Sequence, residues 1–117
     1  DYSERLALLV DCLTMCKNIG LCMDILDFET ASELLMAGTG LRFTPDRIDR
    51  VLKDQIDRDR KLNLEFGMDP SQDTLPKRFV RQPLKHGPTR GSVIHIDKLV
   101  KEYYGIKGWS DKGVPKS

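Results

Sequence analysis

Apolar residues recur at Leu6, Leu9, Val10, Leu13 and Cys16, a helical period, and Leu8 and Met15 widen the stripe. Ser3 offers a hydroxyl cap, and Asn18 and Gly20 are suited to end the segment. The pattern predicts a first helix from Ser3 towards Cys16, buried on more than one side. Thr30-Ala31-Ser32-Glu33 has the form of a capping box, opening a short helix through Leu34, Leu35 and Ala37 that Gly38 and Gly40 stop. Thr44-Pro45-Asp46 is a stronger start, with a hydroxyl cap, proline at the first helical position and an acid in the first turn. Ile48, Val51, Leu52 and Ile56 mark the buried face of this longest helix. Leu62 and Phe66 resume that face beyond the charged run Asp57-Arg58-Asp59-Arg60-Lys61, and Gly67 ends it. Asp59 falls on the stripe, so it is expected to be paired there or to lie near a partner surface.

Met68 to Thr74 reads as a loop, and Leu75-Pro76 begins a short helical turn reaching Phe79 and Val80. Two prolines and two glycines between Gln82 and Ser92 predict an irregular surface connection. Val93-Ile94-His95-Ile96 alternates weakly, as a short extended piece would. Asp97 is placed to cap a last helix with Leu99, Val100, Tyr103 and Tyr104, ended by Gly105 and Gly108. Trp109 to Ser117 is left as a tail. The expected class is mainly α: an irregular multi-helix arrangement with long loops, a single domain over residues 1–117.

Composition narrows the function classes. With 39% hydrophobic and 32% charged residues the chain is folded and soluble rather than disordered. Lys+Arg 19 against Asp+Glu 18 leaves a net charge of +1, which gives no reason to expect nucleic acid or an anionic membrane as partner. The apolar runs are too short to span a bilayer. Asp1 is not an initiator residue, so a processed or excised chain is expected. The three cysteines, Cys12, Cys16 and Cys22, are an odd number beside an apolar segment, which fits reduced thiols in the cytoplasm.

Those thiols are the main candidate chemistry. Cys12 and Cys16 are four apart, hence on one face if the helix continues that far. They are either buried structural thiols or metal ligands. A cubane iron–sulfur cluster or a structural zinc generally takes four ligands, mostly thiolate. Three cysteines at these spacings cannot close such a site. The chain therefore binds no cluster, or gives one ligand to a cluster completed elsewhere. Asp11 is a carboxylate among leucines: an exposed turn of helix, or an acceptor for a polar ligand at the helix end. His86 and His95 lack a second histidine or an acid at ligand spacing. No phosphate loop or nucleophile elbow is present. Tyr103, Tyr104 and Trp109 read as packing.

Three blocks together resemble the C-terminal domain of the tungsten-containing aldehyde ferredoxin oxidoreductase family. Asp11-x-x-Thr14-Met15-Cys16-Lys17 is similar to its D-x-x-G-L-C motif, with Thr14 for the glycine and Met15 for the leucine. Thr44-Pro45 leads the long helix with Asp59-Arg60-x-Leu62-Asn63, followed by Asp73-Thr74-Leu75-Pro76-x-Arg78-Phe79. Leu99 to Tyr104 is followed by Gly108-Trp109-x-x-x-Gly113-Val114-Pro115. The resemblance covers nearly the whole chain. It implies a tungsten atom held by two molybdopterin dithiolenes beside one 4Fe–4S cluster, three of whose cysteines lie in an upstream C-x-x-C-x-x-x-C segment. Carried over, Cys16 is the fourth cluster ligand, Asp11 accepts hydrogen bonds from a pterin, and the Thr14–Met15 backbone lines the same pterin. Cys12 and Cys22 match no family ligand.

The expected parent oxidises aldehydes to carboxylic acids and passes electrons to ferredoxin or another electron-transfer protein. Its expected partners are the upstream domains of the same polypeptide, and a homo-oligomer is compatible with the reading. Two alternatives stand beside it: the tungsten subunit of a benzoyl-CoA reductase, acting on an aromatic acyl-CoA, and a cofactor-free helical assembly domain.

Overall fold

The computed structural model describes residues 1–22 and 25–116, the side chains of residues 19 and 21 excepted. Among the described residues there are five α-helices: α1 Tyr2–Cys12, α2 Phe28–Thr39, α3 Pro45–Glu65, α4 Lys77–Arg81 and α5 Ile96–Lys107. A π-helical turn, Asn18–Cys22, and a 3-10 turn, Pro70–Gln72, add to them. Among the described residues there is no strand, so the mainly α class expected from the sequence is the observed one. None of the described helices is long and apolar enough to cross a membrane. The chain's contacts gather into two compact units, Asp1–Asp59 and Arg60–Ser117.

The core of the first unit is Leu6, Leu9 and Val10 from α1, Leu26, Ala31 from α2, and Ile48 and Leu52 from α3. Each large apolar side chain taken out of water there contributes about 1.5–3 kcal/mol. Arg5 ties α1 to α3 through Asp49, with its Nη1 at 3.0 Å from Oδ2. α1 begins two residues earlier than the hydroxyl cap suggests: Asp1 is the N-cap, and Ser3 lies inside the helix. α2 also starts from an upstream acid, here with a side-chain cap that α1 lacks. The Asp27 carboxylate accepts the Thr30 N–H at 2.7 Å, so Thr30 sits in the first turn and Thr30–Glu33 is not the capping box. The same bond holds the Asp27 carboxyl below the usual carboxylate range. Gly38 continues α2, and Gly40, at φ +74, ends it.

The start of α3 is as expected: the Thr44 hydroxyl accepts the Arg47 N–H at 3.3 Å, and Pro45 opens the helix. Its buried face differs. Ile48, Leu52, Ile56 and Arg60 are buried at intervals of four, whereas Val51, Leu62 and Phe66 are exposed, Phe66 by 84%. Asp59 lies on the exposed side and accepts a hydrogen bond from Gln55 Nε2 at 2.7 Å.

In the second unit the loop after Gly67 contains the 3-10 turn, closed by a reciprocal pair of bonds between Asp69 and Gln72. α4 follows Pro76 as expected. Val93–Ile96 forms no strand; Ile94 N–H donates to the Phe79 carbonyl at 3.0 Å. His95 is the N-cap of α5 and Asp97 lies in its first turn, where its charge favours the helix dipole without capping it. Residues after α5 are docked rather than a free tail. Trp109 is buried, edge-on to Tyr103 at 5.6 Å between ring centroids, and Ser110 and Val114 close a turn. Ser117, the end of the expected tail, lies outside the described residues.

Candidate functional site

The end of α1 is a helix stop of a specific kind. Met15 N–H donates to the Val10 carbonyl and Thr14 N–H to the Asp11 carbonyl, both at 3.0 Å. This pair of bonds defines a Schellman motif. The motif requires a left-handed residue just past the cap, and here it is Thr14, at φ +54. No other non-glycine residue described has a positive φ. The motif also favours an apolar side chain folded back onto the helix, and half-buried Met15 packs against the cluster that contains Val10. The D-x-x-G-L-C spacing thereby acquires a physical meaning. In this chain Asp11 sits in the last turn, Thr14 supplies the left-handed residue, Met15 turns back onto the core, and Cys16 is the next residue beyond the stop. In this chain threonine takes the glycine position at a cost of roughly 1–2 kcal/mol. Its hydroxyl donates to the Leu13 carbonyl at 2.7 Å, which offsets part of that cost.

The stop also corrects the expected helix. α1 ends at Cys12, so Cys12 and Cys16 do not share a helix face. All three cysteines are free and exposed, not buried structural thiols. An exposed thiol can present its thiolate to a metal. Among the described residues no three His, Cys, Asp or Glu side chains gather into a metal site. Asp11 is half-exposed and pairs with Lys17 Nζ at 3.0 Å, spanning the stretch that contains Cys16. An exposed pair of this kind contributes little stability, so Lys17 holds the carboxylate only loosely. The N–H groups of Thr14 and Met15 are engaged by the cap. These two backbone units could therefore only accept hydrogen bonds from a ligand, through their carbonyl oxygens. Both histidines are exposed.

A constellation missed by pattern reading lies in the second unit. Arg60, only 8% exposed, makes a forked ion pair with Asp73, its Nη1 3.0 Å from Oδ1. Its Nε donates to the Gly113 carbonyl at 2.9 Å, and its guanidinium lies 5.2 Å from the Trp109 ring centroid. The Tyr104 hydroxyl donates to the second oxygen of Asp73. Hydrogen bonds from Arg60 hold the Asp73 carboxyl below its usual range against the opposing effect of burial. Burial, followed by the bond to Asp73, pushes the Tyr104 hydroxyl up. Gly113 is required twice over: its φ is +66, and a Cβ there would lie 2.5 Å from the Tyr104 ring and hydroxyl. The second and third blocks of the sequence resemblance therefore meet in one buried polar node. An open cavity of about 620 Å³ has Asp73 and Tyr104 among its lining residues, with Asp97, Lys101 and Asp111.

The whole chain, residues 1–117, matches the family described as aldehyde ferredoxin oxidoreductase, domains 2 and 3. It is 31% identical over 121 residues to the tungsten-containing aldehyde ferredoxin oxidoreductase of Pyrococcus furiosus, covering 99% of this chain and 20% of that protein. The Pyrococcus horikoshii protein of the same name is 31% identical over 118 residues, covering 97% of this chain and 19% of that protein. For the Thermococcus kodakarensis protein of that name the identity is 30% over 114 residues, covering 94% and 19%. The chain spans about a fifth of the length of these curated relatives. Their names favour neither the benzoyl-CoA reductase nor the cofactor-free alternative. Matched from end to end, the chain belongs to the aldehyde ferredoxin oxidoreductase family, in the part described as its domains 2 and 3.

Proposed function

We propose that residues 1–117 form the C-terminal portion of a tungsten-dependent aldehyde oxidoreductase and supply one side of its cofactor site. In this reading Cys16 is one thiolate of a 4Fe–4S cluster whose other three ligands come from upstream domains of the same polypeptide. Asp11 accepts hydrogen bonds from the N–H groups of a pterin, exchanging its loose partner Lys17 for the ligand. The carbonyl oxygens of Thr14 and Met15 line the same pterin. When bound, the tungsten–pterin supplies the oxidation of an aldehyde to a carboxylic acid, and the cluster carries the electrons towards ferredoxin.

The observation that supports this most directly is the stop at the end of α1. It sets an exposed thiol two residues beyond a left-handed residue, with an exposed carboxylate in the preceding turn. The chain's own residues position; they do not react. Val10 and Met15 anchor the stop in the core, so the thiol is presented from a rigid base. A cytoplasmic enzyme, possessing reduced thiols and acting alone or as a homo-oligomer, fits the same reading.

The test is Cys16→Ser in the full-length protein, purified without oxygen. Iron and acid-labile sulfide are expected to fall to a small fraction of the unmodified protein's, and aldehyde oxidation with them. Full cluster content in this variant would sink the proposal.

A further inference from the structure

We infer that Gly20 is a positioning residue for Cys16, which rests on the reading of Cys16 as a cluster ligand. Gly20 is buried in the turn Asn18–Cys22, and its N–H donates to the Cys16 carbonyl at 3.0 Å. A Cβ on Gly20 would lie 2.5 Å from Val10 Cγ2 and 3.3 Å from Cγ1. Val10 is fully buried in the core of the first unit, so its methyls have no room to retreat. Gly20 is not among the left-handed glycines. Close approach, not backbone conformation, is what makes glycine necessary at this position.

The segment carrying Cys16 is consequently pinned to one residue at both ends. Before Cys16, the Met15 N–H is bonded to the Val10 carbonyl at 3.0 Å. After it, Gly20 rests on the Val10 side chain. Together the two anchors set how far the thiol stands from the helix. Adding one methyl group at Gly20 must lift this segment and move the Cys16 sulfur without changing the ligand residue.

The test uses the full-length protein with Gly20→Ala and with Gly20→Ala combined with Val10→Ala, which removes the obstructing methyls. The readouts are cluster retention against a chelator, the electron paramagnetic resonance spectrum of the reduced cluster, and helical circular dichroism. Gly20→Ala is expected to keep its helices, to hold the cluster roughly 10-fold less tightly, as changes just outside a ligand shell do, and to alter the spectrum. The double variant is expected to recover both. A purely structural role would lower the melting temperature and leave the spectrum as it was. Unaltered retention and spectrum in Gly20→Ala would overturn the inference, as would a double variant that keeps the altered spectrum. If Gly20→Ala fails to fold, the double variant decides alone, by the same criterion. Cys16→Ser separates the two levels: retention of the cluster there removes the underlying reading. Loss there, with a normal Gly20→Ala protein, removes only the positioning role.

Discussion

Thr14 holds a conformation that glycine takes without penalty, φ +54, at the point where α1 must stop. A left-handed non-glycine residue costs roughly 1–2 kcal/mol. Glycine returns about 0.4–1 kcal/mol of that through the greater freedom of the unfolded chain. Thr14→Gly is therefore expected to raise stability by about 0.5–1 kcal/mol in denaturant titration, less whatever the hydroxyl bond to Leu13 contributes. Thr14→Ala loses that bond without relieving the backbone, and is expected to be less stable than the parent chain. Asp73 governs the acid side. Its carboxyl is held below the usual range by hydrogen bonds from Arg60, so as pH falls the unfolded chain takes up this proton first. Its stabilising contribution is complete above the ordinary carboxylate range, near ~4, and is lost as pH falls through the lower folded value. Thermal melts are expected to show Asp73→Asn less stable at neutral pH yet with a shallower decline in acid. For Tyr104 the shift is upward, so its contribution is present below about 10 and is lost as pH rises through the folded value.

At the scale of the element, α3 shows how a helical stripe can be misassigned by one position. Two faces of this helix carry apolar residues, and the buried one runs Ile48, Leu52, Ile56 and Arg60. Truncation separates the faces. Ile56→Ala is expected to cost about 2–5 kcal/mol. Phe66→Ala, exposed one residue past the end of α3, should change stability by no more than about 0.5 kcal/mol in the same titration. If Phe66→Ala proved the costlier of the two, the observed face of α3 would be wrong. The end of α1 carries a parallel lesson. Periodicity alone carries the helix to Cys16, because Leu13 and Met15 stay apolar. What ends it is a backbone reversal that reuses Met15 as a contact on the core.

At the scale of the whole molecule, each unit has its own means of cohesion. The first is held by aliphatic burial. The second buries few aliphatic side chains and gathers Asp73, Tyr104, Trp109 and Gly113 around a single guanidinium. Removing the guanidinium leaves the half-buried Asp73 carboxylate without its partner, at a cost on the order of 1–3 kcal/mol. Arg60→Met is therefore expected to lower the melting temperature of this chain and to free the residues after α5. Increased exposure of Trp109 in fluorescence would report the release.

Much of this was legible in the amino-acid order alone. The mainly α class, the start of α3 at Thr44-Pro45, α4 after Pro76, and the aromatic packing near the C-terminus all follow from contacts within a few residues. Caps and helical periods are local, so neighbouring side chains specify them without help from the rest of the chain. The motif around Asp11 and Cys16 was legible too, though only as a resemblance. Other features depend on partners far away in the chain. Arg60 sits in a charged run that reads as solvated, and its burial is set by residues 13, 44 and 53 positions away. Thr14 carries no sign of a left-handed backbone; that conformation follows from the docking of Met15 on the core and the bonds back to Val10 and Asp11. Nor does the apolar pattern around the three cysteines reveal that all of them are exposed. Local order along the chain chose the helices, while long-range packing chose where they stop, which charge is buried and which way the cysteine faces.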